Sequence, residues 1–85
     1  MKYRVLWTRA ALNTLKKLGK KDSRRILDKV EDIIEDPFRH VKKLKSLPFY
    51  SLRIGKYRVI LILDRGKHVI YVVAVEHRKK AYKKL

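Results

Sequence analysis

The stretch Tyr50-Ser51-Leu52-Arg53-Ile54-Gly55-Lys56-Tyr57-Arg58-Val59-Ile60 decides the fold. Tyr50, Leu52 and Ile54 alternate with Ser51 and Arg53, the period-2 pattern of a half-buried strand. Gly55-Lys56 is a tight turn, and a second β-pattern runs from Tyr57 to Asp64. A further turn at Arg65-Gly66 leads to a third, His68 to His77. Short turns between successive strands predict an antiparallel meander. The second and third strands are apolar on both faces near their centres, so both faces should be covered there.

Upstream, Lys2 to Trp7 alternates, with Tyr3, Val5 and Trp7 on one face, and predicts an N-terminal strand. Thr8 is placed to N-cap a helix carrying Ala11, Leu12, Leu15 and Leu18, and Gly19 is expected to end it in a left-handed C′ conformation. A second helix should start at Asp22 or Ser23, carry the stripe Ile26, Leu27, Val30, Ile33 and Ile34, and stop at Asp36-Pro37. Phe38 to Ser46 reads as a basic connection, and Arg78 to Leu85 as a short basic tail. The expected architecture is therefore α+β in a single domain, residues 1–85. It has an N-terminal strand, an α-helical hairpin, and a three-stranded antiparallel meander forming one twisted sheet with the helices on one face.

Charge narrows the function classes. The 85 residues hold 24 Lys and Arg against 8 Asp and Glu, a net charge of +16. Six of the acids lie between Asp22 and Asp36, and outside that stretch only Asp64 and Glu76 oppose the bases. Such a field attracts polyanions through counterion release. Nucleic acid is the first expectation, an acidic protein partner the second and a membrane surface the third. The chain has no cysteine, so disulfides and thiolate metal sites are excluded. Its three histidines, His40, His68 and His77, show no ligand spacing, and no metal or cofactor is expected. The longest apolar run, Val69 to Val75, is far short of the ~20 residues a membrane helix needs. A cytoplasmic location is expected.

Strand alternation puts the Tyr50, Leu52 and Ile54 set toward the helices, and Ser51 and Arg53 on the open face. The tight turn makes Arg53 and Arg58 neighbours across the hairpin. Two adjacent guanidiniums repel unless an anion lies between them, and the planar donor fork of arginine suits phosphate oxygens. His77 and Arg78, with Tyr82 beyond, follow the most apolar strand, where one folded sheet could gather them with the arginines. Taken singly, each also reads as ordinary surface or packing.

The arrangement resembles the RelE/ParE toxin superfamily, and most nearly its RelE branch of small archaeal and bacterial toxins. The resemblance rests on the Lys42-Lys43-Leu44-Lys45 segment, the Tyr50 to Ile60 hairpin and the His77-Arg78 to Tyr82 ending. It implies a toxin of a type II toxin–antitoxin system. Its activity would be that of a ribosome-dependent mRNA endonuclease, cutting A-site codons by metal-independent attack of the RNA's own 2′-OH. By position it implies Arg53, Arg58, His77, Arg78 and Tyr82 as catalytic residues. It also implies Lys42, Lys43, Lys45, Lys56, Lys79, Lys80 and Lys83 as RNA-binding residues. Arg53 and Arg58 would hold the scissile phosphate, Arg78 would contact phosphate or the leaving group, and Tyr82 would orient the substrate. Ser51 stands where RelE members commonly carry Lys or Arg; the resemblance implies His77 as the residue that could substitute as general base, as a histidine near this position does in related toxins of the superfamily, and the base itself stays open. The implied partners are an acidic, partly disordered RelB-like antitoxin, the ribosome and mRNA. The alternatives are a ParE-like DNA gyrase inhibitor, and a non-catalytic RNA- or ribosome-binding member.

Overall fold

The computed structural model of the chain describes residues 2–45 and 48–77. In chain order its elements are β1 (Arg4–Trp7), α1 (Arg9–Lys17), α2 (Lys20–Asp32), a 3-10 turn (Pro37–Arg39), β2 (Lys42–Lys43), β3 (Phe49–Ile54), β4 (Tyr57–Asp64) and β5 (Val69–His77). The strands form one sheet in the order β1-β5-β4-β3-β2. The meander β3-β4-β5 is antiparallel as expected, whereas β1 lies parallel to β5. The basic connection contributes a strand of its own, β2, antiparallel to β3. The sheet thus has five strands rather than four. No helix among the described residues is long and apolar enough to cross a membrane.

Local chemistry explains the corner between β1 and α1. Thr8 is the N-cap, and its hydroxyl accepts from the Ala11 amide at 3.2 Å. The same hydroxyl donates to the Val73 carbonyl at 3.0 Å, and the Thr8 amide donates to the Val72 carbonyl. Val73 is the extra residue of a β-bulge, because Val72 pairs with Leu61 and Ala74 with Ile60. A bulge residue loses its ladder partner, and the Thr8 side chain supplies a replacement.

The helix–helix corner departs from expectation. Gly19 is extended (φ −63°, ψ 159°) and serves as N-cap of α2, not as a left-handed stop for α1. Leu18 is extended as well, so two consecutive extended residues turn the chain while Leu18 keeps its place against the core. The second helix accordingly begins at Lys20, not at Asp22 or Ser23. The Ser23 hydroxyl is spent on the Lys20 carbonyl inside the first turn.

The helices cover one face only, α1 against β5 and α2 against β3. Ala11, Leu15, Ile26, Val30 and Ile33 meet Leu52, Ile54, Tyr57, Val59, Leu61, Ile70, Val72 and Val75 in a single core. Leu27 was expected in this stripe but is 39% exposed, one position off the face that Ile26 and Val30 define. On the opposite face none of the described helices lies over the sheet, and Leu6 is 43% exposed there. Ile60 and Val69 on that face are nevertheless buried.

Candidate functional site

The β3–β4 hairpin turns through Gly55-Lys56, with Gly55 at φ +56°. A two-residue loop with glycine in a left-handed conformation at its first position fits the right-handed twist of the flanking strands. The turn fixes the register, and Arg53 faces Arg58 directly. On the next strand Arg58 faces Glu76. Arg53, Arg58 and Glu76 therefore form a row across three strands on the face away from the helices. Lys42, Ser51, Ile60 and Ala74 form the neighbouring row.

A groove of about 600 Å³ lies between this hairpin and the segment from the 3-10 turn through β2. Six basic side chains line it, Arg39, Lys42, Lys43, Lys45, Arg53 and Arg58, and no acidic residue does. Ser51 and His40 complete its polar wall. Such a lining, on the face that none of the described helices covers, is suited to a phosphodiester backbone. Arg58 is held most firmly. One of its terminal nitrogens, Nη2, donates to Glu76 Oε1 at 3.1 Å, and its Nε is buried without a hydrogen-bond partner.

His77 is not brought to this groove. It pairs in register with Tyr57, on the helix-facing side of the sheet, with ring centroids 5.6 Å apart in an edge contact. The cause is the bulge at Val73. Ile70 and Val72 face the helices, so unbroken alternation would carry Ala74 and Glu76 inward and leave His77 beside the arginines. The extra residue reverses the parity, sending Glu76 to Arg58 and His77 to Tyr57.

Lys56, also expected at the RNA surface, is drawn away. Its ammonium lies 3.7 Å from Asp22 Oδ2 and over the Tyr57 ring. The Tyr57 hydroxyl donates to the same carboxylate at 2.7 Å. That hydrogen bond, helped by Lys56, holds the Asp22 carboxyl below the usual aspartate range despite its partial desolvation. The same bond and burial push the Tyr57 phenol above its ordinary value.

The structure therefore gathers Arg53, Arg58, Lys42, Lys43 and Lys45 in one groove, and places Lys56 and His77 elsewhere. Arg78, Lys79, Lys80, Tyr82 and Lys83 lie outside the described residues. Arg39 and His40 line the groove without having been singled out. No local pattern marks them, because their place beside the hairpin depends on the pairing of β2 with β3.

Three comparisons bear on this geometry. The chain resembles the toxin–antitoxin complex RelBE2 of Mycobacterium tuberculosis, with 26% identity, a TM-score of 0.85, and coverage of 92% of this chain and 100% of that one. It is also similar to the archaeal RelE–RelB complex of Pyrococcus horikoshii, with 28% identity, a TM-score of 0.80, and coverage of 92% and 97%. A chain of the chromosomal ParDE system of P. aeruginosa shares the fold at 11% identity, with a TM-score of 0.71 and coverage of 89% and 96%. No curated protein sequence matches the chain. The model of the ParE toxin of type II toxin–antitoxin systems matches residues 5–82, so both helices, the basic groove and all of the sheet except Arg4 fall inside it. The chain belongs to this toxin family, within the RelE/ParE superfamily, and is a toxin of a type II toxin–antitoxin system.

Proposed function

We propose that the toxin is a ribosome-dependent mRNA endonuclease whose basic groove receives the codon displayed in the A site. The observation that carries this reading is the groove itself: six cations, no acid, and two arginines in register on the face that none of the described helices covers. Arg53 and Arg58 bracket the scissile phosphate and stabilise the charge of the phosphorane. Lys42, Lys43 and Lys45 hold the flanking backbone. The 2′-oxygen attacks phosphorus, its proton passes to a base, the bond to the 5′-oxygen breaks, and that oxygen takes up a proton. A 2′,3′-cyclic phosphate and a 5′-hydroxyl result, with no metal or cofactor consumed.

Arginine stays protonated and so has no free lone pair to take the first proton, and the Ser51 hydroxyl is not basic enough to take it at neutral pH. We assign that role to His40, which lines the groove and is of the residue type that changes charge near neutrality. The bulge makes His77 the poorer choice by turning it to the other face. Arg78 and Tyr82 keep the roles the resemblance implies, contact with the phosphate or leaving group and orientation of the substrate. Lys79, Lys80 and Lys83 extend the RNA contact. The partner that restrains the toxin is an acidic antitoxin, as the RelB–RelE complexes among the similar structures suggest. Its seat includes the uncovered face around Leu6.

Primer extension on mRNA from a translation reaction, with and without ribosomes, tests the reading. Cuts inside codons that require ribosomes are expected, because a shallow groove leaves orientation of the RNA to the ribosome. His40→Ala should abolish most cutting and His77→Ala should retain it; the reverse pattern returns the base to His77. The match to the ParE model supports a second reading, inhibition of DNA gyrase. Intact mRNA together with loss of supercoiling by purified gyrase would establish that instead.

A further inference from the structure

Glu76 has no part in the roles assigned so far, yet it accepts the one side-chain hydrogen bond that Arg58 makes among the described residues. We infer that Glu76 is a positioning residue, which holds the Arg58 guanidinium in the orientation that receives a phosphate. This deepens the reading of the groove as a phosphate site and rests on it.

Three observations support the inference. Arg53 stands directly across from Arg58, and like charges in register on one face repel. Left to itself, Arg58 would swing away from the row. Glu76 is in register on its other side and accepts from Nη2 at 3.1 Å, which counters that push. Second, Arg58 Nε is buried without a partner, so its hydrogen bond to Glu76 through Nη2 is what fixes the guanidinium among the described residues. Third, Arg58 lines the groove whereas Glu76 does not. The carboxylate supports the guanidinium from behind and leaves the groove without an acid to oppose an incoming anion.

A long arginine side chain carries rotamer freedom that is lost when it binds an anion. Fixing it beforehand removes that cost from the binding step. An ordinary surface ion pair contributes little; here the pair is half-buried and acts on one named side chain. The bulge at Val73 brings Glu76 to this face, so an irregularity in β5 is what supplies the support.

Position and bare charge make opposite predictions, and this decides the experiment. Inorganic phosphate is titrated into the full chain, with binding read from amide shifts around the groove by NMR. The same spectra report whether each variant is folded. Removing a negative charge should tighten phosphate binding if Glu76 were only a neighbouring anion. If Glu76 positions Arg58, Glu76→Ala weakens binding by about fivefold, the worth of one hydrogen bond. Glu76→Gln, which keeps an acceptor, recovers part of the loss. On an Arg58→Ala background Glu76→Ala should change nothing further. Unchanged or tighter phosphate binding by Glu76→Ala, or a full additional loss in the double variant, overturns the inference. Phosphate binding is measured apart from RNA cutting, so a protein that binds phosphate as described but cuts no mRNA refutes the nuclease reading and leaves Glu76 in its place.

Discussion

Gly55 and His68 hold the two positive φ values among the described residues, +56° and +55°, and they are maintained differently. At Gly55 an added Cβ would meet Arg25 Nη1 at 3.0 Å. Gly55→Ala combines that crowding with a left-handed backbone, which costs an L-residue about 1–2 kcal/mol. A loss of stability of this size is expected in urea unfolding, together with weaker RNA cutting, because the turn sets Arg53 against Arg58. His68 tolerates its conformation while its ring packs edge-on to Tyr3 at 5.1 Å. In the groove, Arg58→Ala should lower cleavage at least ~10-fold, the usual effect of removing a charge contact made in the transition state. Ribosome pelleting should show binding retained. Thr8 and Gly55 were legible in the sequence because each acts within a few residues of itself. Gly19 was not, since a glycine between two helices serves equally as the end of the first or the start of the second. The face of His77 was not legible either, because it depends on a bulge that Thr8, distant in sequence, supports through its hydroxyl.

Among elements, the contact between α2 and the β3–β4 hairpin sets how the groove is held. Asp22 accepts from Tyr57 at the first residue of β4 and attracts Lys56 from the turn. The acids of α2 thus do more than solvate its outer face. The folded-state value of Asp22 lies below the ordinary one, so this contact adds stability above the unfolded aspartate range and loses it as pH falls through the folded value. Tyr57 shifts upward, so its share is present below the unfolded tyrosine value and disappears as pH rises through the folded one. Thermal melts should therefore show wild type above Asp22→Asn at neutral pH, with the two converging in strong acid. Melts that stay parallel down to low pH would count against the contact. The meander and both helices were legible from periodicity and turn chemistry. Strand β2 was not, because Lys42 and Lys43 carry no strand pattern and pair only because β3 offers an open edge. The groove depends on that pairing, so Arg39 and His40 could not be added to the site from sequence.

Over the whole molecule, six of the eight acids fall in α2 or just after it, while six Lys and Arg side chains and no acid line the groove. RNA binding should weaken steeply with salt. The slope of log Kd against log salt should fall by about 0.7 for each groove lysine changed to alanine, the value for one lost single-strand phosphate contact. Core substitutions act otherwise. Leu61→Ala, at a fully buried central position, should cost about 2–5 kcal/mol and leave that slope unchanged in the folded fraction. Partner choice of the strands has a further effect in time. β1 is made early, and its neighbour β5 is made last of the described strands, with Arg4 beside Val69 and Trp7 beside Val72. During synthesis β1 must wait, unpaired, for the entire meander. Arg58 likewise waits for Glu76, which sits near the end of that same late strand. On any nascent chain whose last strand is still inside the exit tunnel, Arg58 therefore lacks the carboxylate that faces it, and it gains that neighbour only once β5 has emerged and paired with β4.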